Sequence, residues 1–173
     1  PNYVHIVASK SSNIKSIADL KGKRVSVGAP KSGTELQARA ILKASGMSYD
    51  DLGKVEYLPF GQSVELIKNR QIDATVQSAG LGVASIKDLA NSVEVVIVEI
   101  PESIIEKLGA PYVSATIPAN TYQGVGQDTK TAGIVNFLIT SQKVSDKIAY
   151  DMTKNLFENL PALVATHSAA KNI

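Results

Sequence analysis

An α/β fold, with a mainly parallel sheet flanked by helices, is predicted by three features of this sequence. Short runs rich in β-branched residues alternate with stretches whose apolar residues recur every three or four positions. Gly, Pro and Asn fall between those segments, where turns are needed. A length of 173 residues, 44% hydrophobic and 20% charged, is enough to build a domain with its own core.

The elements follow in chain order. Residues 3–8 are strand-like. Residues 24–27 (Arg-Val-Ser-Val) form a strand closed by Gly28-Ala29-Pro30. Residues 34–45 read as a helix with Leu36, Ala40, Ile41 and Ala44 on one face and Gly46 as the stop signal. Strands at 55–58, 72–76 and 93–98 alternate with helices at about 62–69 and 83–90. A second strand-like segment covers 133–140. Beyond it Ser145 caps an amphipathic helix with Asp146 in its first turn. The apolar positions Ile148, Met152, Leu156 and Leu160 of that helix repeat every four residues and need a surface to cover them. Parallel strands require crossover helices, so the β-α-β-α-β-α-β order of the middle puts helices on both faces. Right-handed crossovers then bring the strand C-termini to one edge, where ligands bind in open sheets.

Four turns should meet at that edge. The first, residues 28–34, leads straight into a helix, whose free N–H groups and macrodipole favour an anion. Ser32 and Thr34 add hydroxyls, and Gly33 permits close approach of the backbone. The segment nearly matches the phosphate loop of nucleotide-binding proteins, but Thr34 and Glu35 stand where Lys and Ser/Thr belong. A carboxylate-sized anion fits it better than a nucleotide. The second turn is Pro59-Phe60-Gly61-Gln62, and the third is Gln77-Ser78-Ala79-Gly80, whose side chains could meet a polar solute. The fourth, Glu99-Ile100-Pro101, reads as a turn only, with Glu102 and Glu106 on a solvated helix face. Ser32, Gly33, Thr34, Phe60, Gln77 and Ser78 are therefore the candidate ligand-binding residues. Taken singly, each is equally an ordinary helix cap or turn residue.

Several function classes find no support. A net charge of +2, aromatics at 5% and the lack of Trp give no footing for nucleic acid or stacked sugars. Without cysteine there is no thiolate chemistry or zinc-thiolate site. The longest apolar run, residues 95–98, is too short to span a bilayer. His5 and His167 lie at opposite ends of the chain and read as surface or cap residues rather than metal ligands. No Gly-x-Ser-x-Gly elbow occurs, and Asp50-Asp51 reads as a turn and helix start. Neither catalysis, a metal nor a cofactor is expected. A start at Pro1, directly into a strand-like run, suggests a trimmed chain.

Taken together, several stretches resemble the TAXI-type solute receptors of tripartite ATP-independent periplasmic (TRAP) transporters. They are Asp19-Leu-Lys-Gly-Lys-Arg-Val-Ser-Val-Gly28, Ser32-Gly33-Thr34-Glu35, Ile72-Asp73-Ala74 and Ile117-Pro-Ala-Asn-Thr-Tyr122. Thr153-Lys-Asn-Leu-Phe-Glu-Asn159 and His167-Ser-Ala-Ala-Lys171 continue the set, which covers nearly the whole chain. The Asp-Leu-Lys-Gly-Lys run recurs across type II binding proteins, so the ordered set carries the resemblance.

The resemblance implies a periplasmic-binding-protein type II lobe. Residues 1–9 would be a hinge strand and 10–130 the ligand-binding second lobe. Residues 131–173 would be a hinge strand and C-terminal helices associated with a first lobe whose glycine-rich opening is absent here. It further implies a small anionic solute (glutamate- or glutamine-like, or another carboxylate), TRAP permease subunits as partners and a periplasmic location. A chain of this extent would dimerise or exchange strands. Two other readings share the fold: an effector-sensing domain of a transcription regulator, and a small-substrate transferase. Recognition as an immunogenic surface protein would be compatible with the receptor role.

Overall fold

The first strand decides how the sheet is assembled. β1 (Asn2–Ser9) is buried over most of its length because both of its faces are covered. Val4, Ile6 and Ala8 belong to one core, and Val7 to the other. The computed structural model describes residues 2–166, 170, 171 and 173. They divide into two units, Pro1–Val135 and Asn136–Ile173.

In the first unit seven strands form one sheet. β2 (Arg24–Ser26) pairs in parallel with β3 (Lys54–Glu56) and β4 (Ala74–Ala79). β1 lies antiparallel to β4 along one edge. Its other edge is shared by β5 (Val95–Val98) and β7 (Thr129–Ile134), with β6 (Tyr112–Ile117) outside β7. The four strands expected in the middle of the chain therefore run in one direction, as parallel crossovers require. The sheet as a whole is nevertheless mixed rather than mainly parallel: two of the six pairings are parallel and four antiparallel. The cause is β1, which inserts against the grain between β4 and β5, a long-range choice invisible in its local pattern.

Helices cover both faces. α1 (Gly33–Ala44) and α4 (Glu102–Leu108) pack on the side of Val4, Ile6, Val25 and Val76. α2 (Phe60–Lys68) and α3 (Ala84–Ser92) pack on the side of Val7, Val95 and Ile97. The buried face of α1 is Thr34, Glu35, Ala38, Ile41 and Leu42. It is not the expected stripe of Leu36, Ala40, Ile41 and Ala44, since Leu36 remains 60% exposed. The helix is turned so that the Glu35 carboxylate points inward, where Arg39 and the Tyr49 hydroxyl neutralise and bond it at 2.6 and 3.0 Å. Asp51 closes a capping box with Ser48, as its turn position suggested.

The Asp73 of the Ile72-Asp73-Ala74 stretch is structural. Its carboxylate accepts from the Arg24 guanidinium at 2.7 and 3.0 Å and from the Arg24 amide at 2.8 Å. The bidentate pair ties the start of β2 to the start of β4 and holds the Asp73 carboxyl below its usual range. It lies at the opposite end of these strands from the expected site.

The second unit holds α5 (Asp146–Glu158) and α6 (Leu160–Thr166), and neither contains a buried residue. The Ser145 cap is present, its hydroxyl accepting from the Ile148 amide. The strand expected at 133–140 ends at Ile134, and 135–140 have no regular structure. His167 lies outside the described residues, and no helix among them is long and apolar enough to cross a membrane.

Candidate functional site

The common direction of β3, β2 and β4 carries the turns that follow them to one edge of the sheet. Their register is close, with Ser26 beside Glu56 on one flank and beside Thr75 on the other. α1, α2 and α3 all begin at that edge.

The first turn folds as a cap. Ser32 is the N-cap of α1, its hydroxyl accepting from the Glu35 amide at 3.2 Å. No partner among the described residues takes the Gly33 and Thr34 amides, which are orphan donors of a helix start. Gly28 is required here: its φ is +96°, and a Cβ would sit 2.8 Å from the Thr34 methyl. The turn can therefore press onto Thr34, which is buried.

The second turn differs from expectation. Phe60, Gly61 and Gln62 are the first turn of α2 itself, and Phe60 is half-buried. The α2 start has no side-chain cap. Beside it lies a surface hollow of about 370 Å³ lined by Leu58, Gly61, Gln62, Glu65 and Leu66. The hollow includes neither Thr34 nor Gln77, and the Glu65 carboxylate in its wall disfavours an anion.

Gln77 and Ser78 lie in β4 rather than in a turn. As neighbours in a strand they face opposite sides of the sheet. Ser78 shares the side of Val76 and α1, while Gln77 shares the side of α2 and α3. Gln77 is fully buried, and its Oε1 accepts from the Ser85 hydroxyl in the first turn of α3 at 2.6 Å. Its Nε2 has no partner, and neither has the Ser78 hydroxyl. Gln37 Oε1, on α1, and Thr75 Oγ1, on β4, are the other buried unpaired polar atoms found among the described residues. A buried polar group without a partner costs about 1–3 kcal/mol, so each such atom is a place where a ligand or water can complete the structure.

Strand register and side-chain alternation put Ser78 on the face that α1 covers, and α1 carries Ser32, Gly33 and Thr34 at its start. Gln77 and Phe60 belong to the α2–α3 side. Sequence reasoning passed over Gln37, one helical turn beyond Gly33, whose Oε1 is buried without a partner. It also misjudged His5, which is fully buried beside Tyr122 rather than at the surface. No group of His, Asp and Glu among the described residues could hold a metal ion.

Several solved structures are similar to this chain. An ancestral arginine-binding protein with bound arginine superposes with a TM-score of 0.50 at 20% identity, over 99% of this chain and 57% of its own. The periplasmic aliphatic sulphonate-binding protein of Escherichia coli gives 0.47 at 20% identity, covering 55% and 29%. A histidine-bound substrate-binding protein of an ABC uptake transporter from Streptococcus pneumoniae gives 0.44 at 19%, covering 57% and 40%. The chain spans 57% or less of the length of each. These are binding proteins rather than enzymes, and the fold shared with the first is of the periplasmic-binding-protein type II kind. A family model accounts for residues 1–173 from end to end, so the chain belongs to the NMT1-like family.

Proposed function

We propose that this chain is the solute-gripping lobe of a periplasmic receptor, of the TAXI type that serves TRAP transporters. It takes up a small carboxylate or amino acid and delivers it to the membrane permease subunits. The observation that carries the reading is the Ser78 Oγ, buried and unpaired on the α1 side near the exit end of β4, together with the uncommitted amides of Gly33 and Thr34 at the start of α1. Backbone and hydroxyl donors at a helix start suit an anion, and the Glu35 carboxylate of that helix start is already paired with Arg39.

In this role Thr34 and the Gly33 amide hold a carboxylate, and Ser78 with Gln37 reads the adjoining polar group. Gln77 approaches from the other side of β4. Residues 10–130 form the lobe, and the strands at 1–9 and from 131 connect it to a second body that completes the cleft. Specificity follows from donors left unpaired when the wrong solute enters. Binding, not bond-making, is the task.

The deciding experiment is mass spectrometry of solute retained by the full-length receptor, followed by titration calorimetry with that compound. Thr34→Ala should weaken binding by roughly 1–3 kcal/mol if its partner is left unsatisfied. Unchanged affinity would remove Thr34 from the site. Retention of a nucleotide or an oligosaccharide instead of a small anion would overturn the reading.

A further inference from the structure

The side of the sheet covered by α2 and α3 contains a chain of hydrogen bonds with a fixed direction. His5 Nδ1 lies 3.0 Å from the Tyr3 carbonyl oxygen, and the Gln77 carbonyl also faces the ring. Carbonyl oxygens only accept, so Nδ1 carries the proton of the neutral ring and Nε2 is left with its lone pair. Tyr122 Oη lies 2.9 Å from Nε2 and must therefore donate to it. A lone pair of the same hydroxyl then faces the backbone that follows β4: the Gly82 N–H donates to it at 3.1 Å. The two rings meet edge to face, with centroids 5.5 Å apart.

Three stretches far apart in sequence thus meet on one oxygen: β1, the 118–126 turn and the 80–83 loop. That loop has little else to hold it. Leu81 is exposed, a Cβ at Gly80 would meet nothing within 4 Å, and Gly82 has a φ of +71°. Among the described residues, no backbone hydrogen bond fastens the Gly80, Leu81 or Gly82 amides to another element. By contrast the adjacent strand is locked to β1 along six register pairs.

We propose that Tyr122 is a positioning residue for the 80–83 loop. Its hydroxyl pins the Gly82 amide to the sheet, and His5 sets the direction in which that hydroxyl points. The loop leads directly from Gln77 and Ser78 into α3, so in the receptor reading above, on which this last step rests, the pin fixes one wall of the solute site.

Tyr122→Phe removes the hydroxyl and keeps the ring against His5. Amide hydrogen exchange followed by NMR on the full chain, with no solute added, should show Gly82 exchanging about fivefold faster. Amides of β1 and β4 should stay at their wild-type rates. Unchanged exchange at Gly82 would overturn the proposal. The wild-type protein gives a second check that needs no variant: the ring-nitrogen shifts of His5 at neutral pH should report protonated Nδ1 and bare Nε2. The opposite tautomer would also overturn it. Neither result depends on which solute is bound, so failure of the receptor reading and failure of the pin are separable.

Discussion

α1 and α5 are nearly the same object written twice. They have 12 and 13 residues, each is capped by a serine whose hydroxyl accepts from the third helical amide, and each carries an acidic residue in its first turn. α1 buries Ala38, Ile41 and Leu42 under β1, β2 and β4. α5 buries nothing, and Ile148 and Met152 on its apolar stripe stay 53% and 49% exposed. An amphipathic pattern states that a face wants cover; it does not state what supplies it. For α1 the cover is a sheet assembled from the same unit. In the second unit the seven-residue α6 likewise contains no buried residue. The exposed Phe137, Leu138 and Ile139 lie in the same unit.

Truncating one isoleucine in each helix puts the contrast to its most severe trial. Ile41→Ala should cost about 2–5 kcal/mol in urea unfolding, because it opens a cavity in a packed core. Ile148→Ala should stay within about 0.5 kcal/mol. Equal losses would mean that α5 is covered in solution, by a second copy of the chain or another body, and sedimentation would show which.

Acid should act on the first unit through His5. Burial lowers its pKa from 6.5 to about 4, against a smaller upward push from the Tyr3 and Gln77 carbonyls. A neutral buried histidine stabilises the fold fully above pH 6.5, where the unfolded chain is also neutral. Below that the unfolded chain takes up the proton first, and stability falls until the folded ring titrates near 4. The loss amounts to about 3 kcal/mol at most. Stability measured in urea at pH 7 and 4.5 should fall more steeply in the wild type than in His5→Gln. Identical slopes would sink this account.

Smaller again are the caps. Ser32→Ala should lower global stability by about 1 kcal/mol, since it frees the Glu35 amide of a helix that the core depends on. Ser145→Ala should register only as lost helicity in α5, with no change in the unfolding midpoint of the first unit. A shift of that midpoint by the α5 variant would show that the two helices share one cooperative transition.

Much of the molecule was legible in order. The strands expected at 24–27, 55–58 and 93–98 are found at 24–26, 54–56 and 95–98, with helices between them, because hydrogen bonding and side-chain spacing are local properties; the strand expected at 72–76 runs over 74–79 instead. The Ser32 and Ser145 caps were legible for the same reason. Leu36 misled because a helix pattern of three- and four-residue spacings admits two neighbouring faces. The choice between them was made by Glu35, whose inward turn depends on Arg39 and on Tyr49, 14 residues away. The segment at 135–140 misled because β-branched residues describe what a strand tolerates, not that a partner is present.

Of the candidate site, the sequence by itself determined the residue types at one edge: the Gly28 that closes the strand, the capping Ser32 and the polar pair at 77 and 78. Only the tertiary structure decided that the polar pair splits across β4, that Gln37 joins Ser78's side, and that His5 is buried rather than exposed. The reason is the same in each case. A residue's own neighbours set its backbone, but which face it presents and what that face meets depend on strands brought together from far along the chain, as β1 is when it enters between β4 and β5.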